Sequence, residues 1–261
     1  MLRVTVLAVL LSCVLAGCGG ESHTPPPPSP SPTPSIGPVP VFTHGKRDGP
    51  KRVALTFDAD MTVDQRARVA RGERFDNPAL IATLRRLKVP ATIFMTGMWA
   101  DQYPAEAKSL GDDPLFEVGN HSYTHHAFSA PCFGLPAVAP GTARADVERA
   151  FDAFRRAGVA HTVPYFRFPG GCHTDAVLRE LGPTRVTAVQ WDVVSGDAFA
   201  EQAGPVAAEV LDKVRPGSVV VMHCTRSAAP ATEEAVRRIV PQLRARGYEL
   251  VRVSELIRDG S

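Results

Sequence analysis

Five short apolar runs, rich in β-branched residues, punctuate the chain at positions 53–57, 91–95, 186–190, 219–222 and 249–251. Runs this compact suit strands buried on both faces. Between them, at 78–87, 142–157, 174–181, 205–214 and 231–246, apolar residues recur every three or four positions, which predicts helices with one buried face. Gly158, Gly182 and Gly247 stand where three of these helices would stop. Strand and helix alternating at this rhythm predict a parallel α/β sheet or barrel. In such folds the chemistry gathers at the carboxyl ends of the strands.

The front of the chain follows another pattern. Arg3 precedes an apolar run over 4–16 that has the length of a secretory signal and ends too early for a membrane span. The run closes on Leu15-Ala16-Gly17-Cys18, which resembles the lipobox at which bacterial lipoproteins are cleaved and diacylated. The plainer reading is an ordinary signal that happens to contain a cysteine. With Cys18 lipidated, two acyl chains hold the protein to the membrane, and an extracytoplasmic, membrane-anchored protein is expected. Labelled palmitate should then enter the protein, and its failure to do so refutes the anchor.

From 22 to 40 the chain is dominated by Pro, Ser and Thr, a composition that prefers extended polyproline II and buries little. It reads as a spacer or as a tail with no reach to fulfil. The expected organisation is a signal over 1–17, a linker over 18–49 and one catalytic-sized domain over 50–261, without internal repeats.

A formal charge of +2 with no Lys/Arg block argues against a nucleic-acid partner. The domain holds Cys132, Cys172 and Cys224, so an exported protein can form one disulfide and keep one thiol, with three pairings open. A zinc site made of these cysteines is disfavoured because no Cys-x-x-Cys spacing occurs.

Five segments carry candidate chemistry. Asp58 and Asp60, two apart after the first strand, face the same way on extended backbone, and two neighbouring acids call for a cation or a shared proton; the plainer reading is a solvated turn. His121 and His125, four apart, would share one face of a helical turn and reach one metal; His126 would point elsewhere. Arg167 opens a turn with Gly170 and Gly171 and can keep a neighbouring aspartate ionised. Asp192 and Asp197 follow another strand, where they can hold an arginine or histidine. His223 ends the very apolar run at 219–222, where burial would tune it for proton transfer or leave it a core histidine.

In this order the five segments resemble the polysaccharide deacetylase family, carbohydrate esterase family four, also called the NodB homology domain, from about residue 52 to residue 257. The resemblance implies a distorted (β/α) barrel with fewer than eight regular units. It implies Asp58 as general base, Asp60, His121 and His125 as ligands of Zn²⁺ or another divalent ion such as Co²⁺, Arg167 as the residue that positions the base, and His223 as general acid, with Asp197 in the catalytic set. Three departures stand out: Ala59 separates acids that are commonly adjacent, Ala198 and Phe199 follow Asp197 where tryptophan is usual, and Val221 replaces a leucine. The arginine-rich stretch 61–77 reads as an inserted loop at the mouth of the site, touching an anionic polymer or merely solvated.

The implied activity is metal-dependent N-deacetylation of a cell-wall polysaccharide, peptidoglycan amino sugars first, by a monomer. Its rivals are a chitooligosaccharide deacetylase, an O-acetyl esterase on xylan, a zinc amidase or peptidase, and an inactive lipid-tethered wall-binding module.

Overall fold

The structure, a computed structural model, describes residues 37–260. The signal, Cys18 and the linker up to residue 36 lie outside the described residues. Along the chain come β1 (Val41–Phe42), β2 (Arg52–Ala59), α1 (Gln65–Val69), α2 (Pro78–Arg86), β3 (Ala91–Met95), α3 (Gly97–Gln102), α4 (Pro104–Gly111), β4 (Phe116–Asn120), α5 (Ala143–Ala157), β5 (Thr162–Phe166), α6 (Asp175–Glu180), β6 (Thr187–Val189), β7 (Val193–Val194), α7 (Ala203–Lys213), β8 (Ser218–His223), α8 (Thr232–Ala245), β9 (Glu249–Val251) and α9 (Val253–Gly260). No helix among the described residues is long and apolar enough to cross a membrane.

Every strand pairing is parallel, and the order across the sheet is β1-β6-β5-β4-β3-β2-β8-β7. β2 is the hub: β8 lies along Val53–Asp58, while β9 takes Arg52–Ala54 and β3 takes Thr56–Ala59 on the other edge. Its residues after Arg52 are all buried, which is why its sequence up to the first acid is apolar except for Thr56. The result is a curled sheet wrapped by helices, a distorted (β/α) barrel.

The helices form where their sequence provides both a stripe and an end. In α2, Asn77 accepts from the Leu80 N–H and Pro78 occupies the first turn, so both start signals coincide. α5 buries Val147, Ala150, Ala153 and Phe154, and stops at Gly158, whose φ of 76° lies in the left-handed region.

The ordered architecture begins before residue 50. β1 lies inside the stretch assigned to the linker and pairs with β6, and Arg47 donates to Asp192 Oδ2 at 2.7 Å. A two-residue strand in proline-rich surroundings leaves no periodic signature. β4, β5 and β7, and the helices α1, α3, α4 and α9, are further elements that the hydrophobic pattern does not announce.

Candidate functional site

The carboxyl ends of β2, β4, β5 and β8 converge, and each of them delivers one of the candidate groups. The Thr56 hydroxyl donates to the Val220 carbonyl at 2.7 Å and locks β2 to β8 just before Asp58. Asp58 is buried and accepts from Arg167 Nη1 at 2.7 Å. Arg167 is wholly buried: its Nε donates to the Val189 carbonyl at 3.1 Å, Nη2 to the Gln190 carbonyl at 3.4 Å, and its guanidinium lies 4.0 Å from the Phe94 ring centroid. Burial alone would raise the Asp58 carboxyl, but Arg167, with smaller help from His121 and His223, holds it below the ordinary aspartate range. Asp58 is therefore a carboxylate at neutral pH.

Arg167 has a second function through its backbone. Its N–H donates to the Asn120 carbonyl at 2.8 Å, and its carbonyl lies 2.9 Å from His121 Nδ1. A carbonyl can only accept, so Nδ1 carries the proton and the Nε2 lone pair is left free. That lone pair is 3.4 Å from Asp60 Oδ1, and His125 Nε2 is 3.7 Å from the same oxygen.

These separations are too long for hydrogen bonds of useful strength. Asp60 Oδ1 is buried and has no hydrogen-bond partner. Asp60, His121 and His125 cluster with Oδ1 3.4 and 3.7 Å from the two Nε2 atoms, separations short enough for the three donors to share one divalent ion. Burial pushes the His125 imidazole down to about 4 and lowers His121 as well, so both offer neutral nitrogens at pH 7. The residues present fit a divalent ion.

One expectation about this pair is corrected: residues 121–125 do not form a helical turn. Ser122 and His125 adopt φ of 68° and 58°, left-handed positions that a right-handed helical turn does not contain. The loop is held by the Asn120 side chain, which accepts from the Ser122 N–H at 2.8 Å, and by Asp146 on α5, which accepts from Tyr123 and Thr124 N–H at 3.0 and 3.3 Å. Beneath it, a Cβ on Gly97 would come 2.3 Å from Tyr123 Cδ2, so only glycine allows the approach. Asn120, Asp146 and Gly97 are supporting residues that sequence reasoning did not single out.

The two candidate acids after β6 separate cleanly. Asp192 belongs to the scaffold, accepting from Arg47, Ser218 Oγ at 2.9 Å and Val219 N–H at 2.7 Å. Asp197 belongs to the site. It accepts from the His223 backbone N–H at 2.7 Å, lies 2.8 Å from His223 Nδ1, and is completed by Thr232 Oγ1 at 2.6 Å and Ser195 Oγ at 2.9 Å. Burial would lower His223, but the hydrogen bond and charge of Asp197, aided by Asp60 and Asp58, raise it to about 10. His223 is thus an imidazolium across the physiological range.

Cys132 and Cys172 form the disulfide, which ties the loop after the metal-site histidines to the turn after Arg167. Cys224 is buried and free, and burial pushes its thiol up to about 12. In the 61–77 segment Arg68 pairs with Glu73 and Arg74 with Asp76, while Met61 and Phe75 are buried. Half of its arginines are therefore neutralised internally, which supports the solvated reading over a basic lip.

The polysaccharide deacetylase family model matches residues 45–189, more than half of the chain and all of β2 to β6. The chain belongs to the polysaccharide deacetylase family. The chitooligosaccharide deacetylase of Sinorhizobium fredii (strain NBRC 101917 / NGR234) is 30% identical over 185 residues, covering 66% of this chain and 80% of the relative. The peptidoglycan-N-acetylglucosamine deacetylase PgdA of Listeria monocytogenes (strain EGD-e) is 26% identical over 212 residues, 79% of this chain but 39% of the relative. Among solved structures, the Bc1960 peptidoglycan N-acetylglucosamine deacetylase superposes with a TM-score of 0.70 at 23% identity, covering 84% of this chain and 92% of that one. BA3943 of Bacillus anthracis, described as a pseudoenzyme of carbohydrate esterase family four, gives 0.68 at 24% identity over 84% of this chain and 69% of its own. Both likenesses bear out the fold that the motif order implied. The family is one of hydrolases with pseudoenzymes among its members, so catalytic competence has to be argued from this chain's own residues.

Proposed function

We propose that the chain is a metal-dependent hydrolase that removes N-acetyl groups from a cell-wall glycan, peptidoglycan amino sugars being the first choice. The observation that carries the reading is Arg167, which holds a buried, ionised Asp58 with its side chain and orients His121 towards Asp60 with its carbonyl. Chitooligosaccharide and peptidoglycan deacetylases among the relatives support the substrate class.

Asp60, His121 and His125 would hold zinc or cobalt, which lowers the pKa of water and polarises an acetyl carbonyl when bound in such a site. Asp58, kept ionised and fixed by Arg167, takes a proton from the attacking water. His223, charged and oriented by Asp197, gives a proton to the departing nitrogen as the C–N bond breaks. Acetate and a free amine leave, and each group has exchanged one proton. An inactive wall-binding protein would need none of Asp58, Arg167 or His223 in these positions, so we favour an enzyme.

The extracytoplasmic placement and lipid attachment at Cys18 rest on the 1–18 pattern, and a wall-facing location accords with a polymeric wall substrate. Acetate release should be seen with peptidoglycan or chitooligosaccharide, should vanish with a chelator and should return with zinc. Release from acetylxylan alone would replace the N-deacetylase reading by the esterase one.

The Asp197–His223 pair predicts a pH signature. Activity needs His223 protonated, and Asp197 holds it above the range of an ordinary histidine, so the wild type should lose rate only on the alkaline side. Asp197→Asn removes the group that raises His223, and the alkaline limb should move to lower pH with a loss in kcat of about 10²-fold or more at pH 8. A pH–rate profile checks this, and an unmoved limb would assign the acid elsewhere.

A further inference from the structure

Of the two carboxylates at the end of β2, only Asp58 has its side chain held in place, by Arg167 Nη1 at 2.7 Å. Asp60 Oδ1 is buried and has no hydrogen-bond partner. Asp60 also lies one residue beyond Ala59, where β2 ends; its ladder stops at Asp58 on the β8 edge and at Ala59 on the β3 edge. The direction of this carboxylate therefore has to come from its backbone. That backbone must be fixed by something other than a paired strand.

Two buried threonines supply the hold. Thr225 stands two residues beyond β8, and its hydroxyl accepts from the Asp60 N–H at 3.0 Å and donates to the Asp60 carbonyl at 3.3 Å. On the opposite edge stands Thr96, the residue after β3. Its hydroxyl accepts from the Met61 N–H at 3.1 Å and lies 3.3 Å from the Ala59 carbonyl, which also accepts from the Thr96 N–H at 3.1 Å. The peptide groups on both sides of Asp60 are thus satisfied. In a parallel sheet the N–H and C=O of one residue turn to one neighbouring strand, and those of the flanking residues turn to the other. The two hydroxyls continue that alternation one step past the ladder.

We infer that Thr225 and Thr96 are positioning residues for the Asp60 donor. Their hydroxyls keep the chain extended for one residue more, so the Asp60 carboxylate stays on the face that Asp58 occupies and near His121 and His125. Thr225 is the more specific of the two. Its hydroxyl bonds to Asp60 alone among the described residues, whereas the Thr96 hydroxyl also caps α3 by accepting from the Trp99 N–H at 3.2 Å. The inference rests on the reading of Asp60, His121 and His125 as metal donors and deepens it: a carboxylate with no side-chain brace is held ready for the ion through its own peptide groups.

The test is calorimetric titration of the metal-stripped, full-length protein with zinc, together with the visible spectrum of the protein loaded with cobalt. Thr225→Val nearly keeps the shape of the side chain and removes both bonds to Asp60. It should weaken zinc binding by about 10–100-fold, the usual effect of losing a partner that orients a ligand, and alter the cobalt bands. Thr225→Ser returns the hydroxyl and should restore both. Thr96→Val should weaken zinc binding to a similar extent and, by uncapping α3, also lower the melting temperature. Thr92→Val is the structural control. Thr92 is buried near the far end of β3, where its hydroxyl accepts from the Val253 N–H at 3.0 Å and donates to Glu117 Oε1 at 2.7 Å. Its loss should lower the melting temperature of the metal-free protein and leave the zinc Kd and the cobalt bands as they are. Wild-type zinc affinity in Thr225→Val, or an equal loss of affinity in Thr92→Val, overturns the inference and leaves the metal reading standing. A wild type that binds no zinc overturns both.

Discussion

Asp58→Asn should reduce acetate release by about 10³-fold or more while zinc binding stays within a few-fold of the wild type, the general-base contribution being about 10²–10⁴. Asparagine keeps the shape, and its carbonyl oxygen can still accept from Arg167 Nη1, but it cannot take a proton. The proposed metal donors Asp60, His121 and His125 are not altered, so calorimetric titration with zinc should give the same stoichiometry.

The substitution also leaves Arg167 buried without its counter-charge. Breaking a buried pair costs about 3–5 kcal/mol in unfavourable cases. Here the retained hydrogen bond and the carbonyls of Val189 and Gln190 should keep the loss towards the lower end. The sign of its pH dependence follows from the direction of the Asp58 shift. A carboxyl whose folded pKa is depressed stabilises the fold above its unfolded pKa, and that stability is lost as pH falls through the folded value. Wild type and variant should therefore differ in melting temperature at pH 7 and converge in strong acid. Near-normal turnover in the variant would move the base to Asp60, the other carboxylate within reach.

The strands at 53–57, 91–95 and 219–222 were legible because a parallel strand buried on both faces has to be largely apolar. β4 was not, since Glu117 interrupts it. That acid is buried and accepts from Thr92 Oγ1 at 2.7 Å and Ser254 N–H at 3.1 Å, partners that only the fold supplies. β5 holds Pro164 and alternates in exposure, so it looked like loop. α3 and α4 are short and separated by Tyr103 before Pro104, which erases any long stripe.

At the site, the order of the motifs carried more information than the spacing within them. A separation of four between His121 and His125 reads as a helix, yet two left-handed residues bring the rings together by another path. Local spacing constrains direction only when the backbone is known, and here the backbone is set by Asn120 and by Asp146 on a helix 20 or more residues away. Asp58 and Asp60 were legible because β2 is extended up to Ala59 and the alternation of side chains holds. The choice between Asp192 and Asp197 needed tertiary contacts, because both follow the same apolar run at 186–190 in the sequence and are told apart by whether Arg47 or His223 comes to meet them.

His121→Ala should abolish tight zinc binding and acetate release together. It removes one of three donors, and since loss of a mere supporting contact to a ligand costs 10–100-fold in affinity, loss of the ligand itself should exceed about 100-fold. With zinc held only by the folded chain, as proposed, saturation at 100 times Kd should stabilise the wild type by about 2.7 kcal/mol, and the variant should show no such gain. Truncation has a second consequence: the Arg167 carbonyl, buried at 2.9 Å from His121 Nδ1, loses its donor. An unsatisfied buried acceptor costs about 1–3 kcal/mol, so metal-free His121→Ala should melt below metal-free wild type.

His125→Ala separates the two effects. The His125 imidazole makes no hydrogen bond that the fold depends on, its backbone N–H being the group that donates to Ser122 Oγ at 3.0 Å. This variant should lose zinc with little change in the stability of the metal-free protein. Protons should compete weakly at the site, because burial holds His125 near 4 and His121 below its usual value. As far as the two imidazoles set it, zinc affinity should then change less between pH 7 and pH 5.5 than ordinary histidines, titrating near 6.5, would allow. Undiminished zinc affinity in both alanine variants would place the ion away from Asp60, His121 and His125, and the proposed chemistry would lose its foundation.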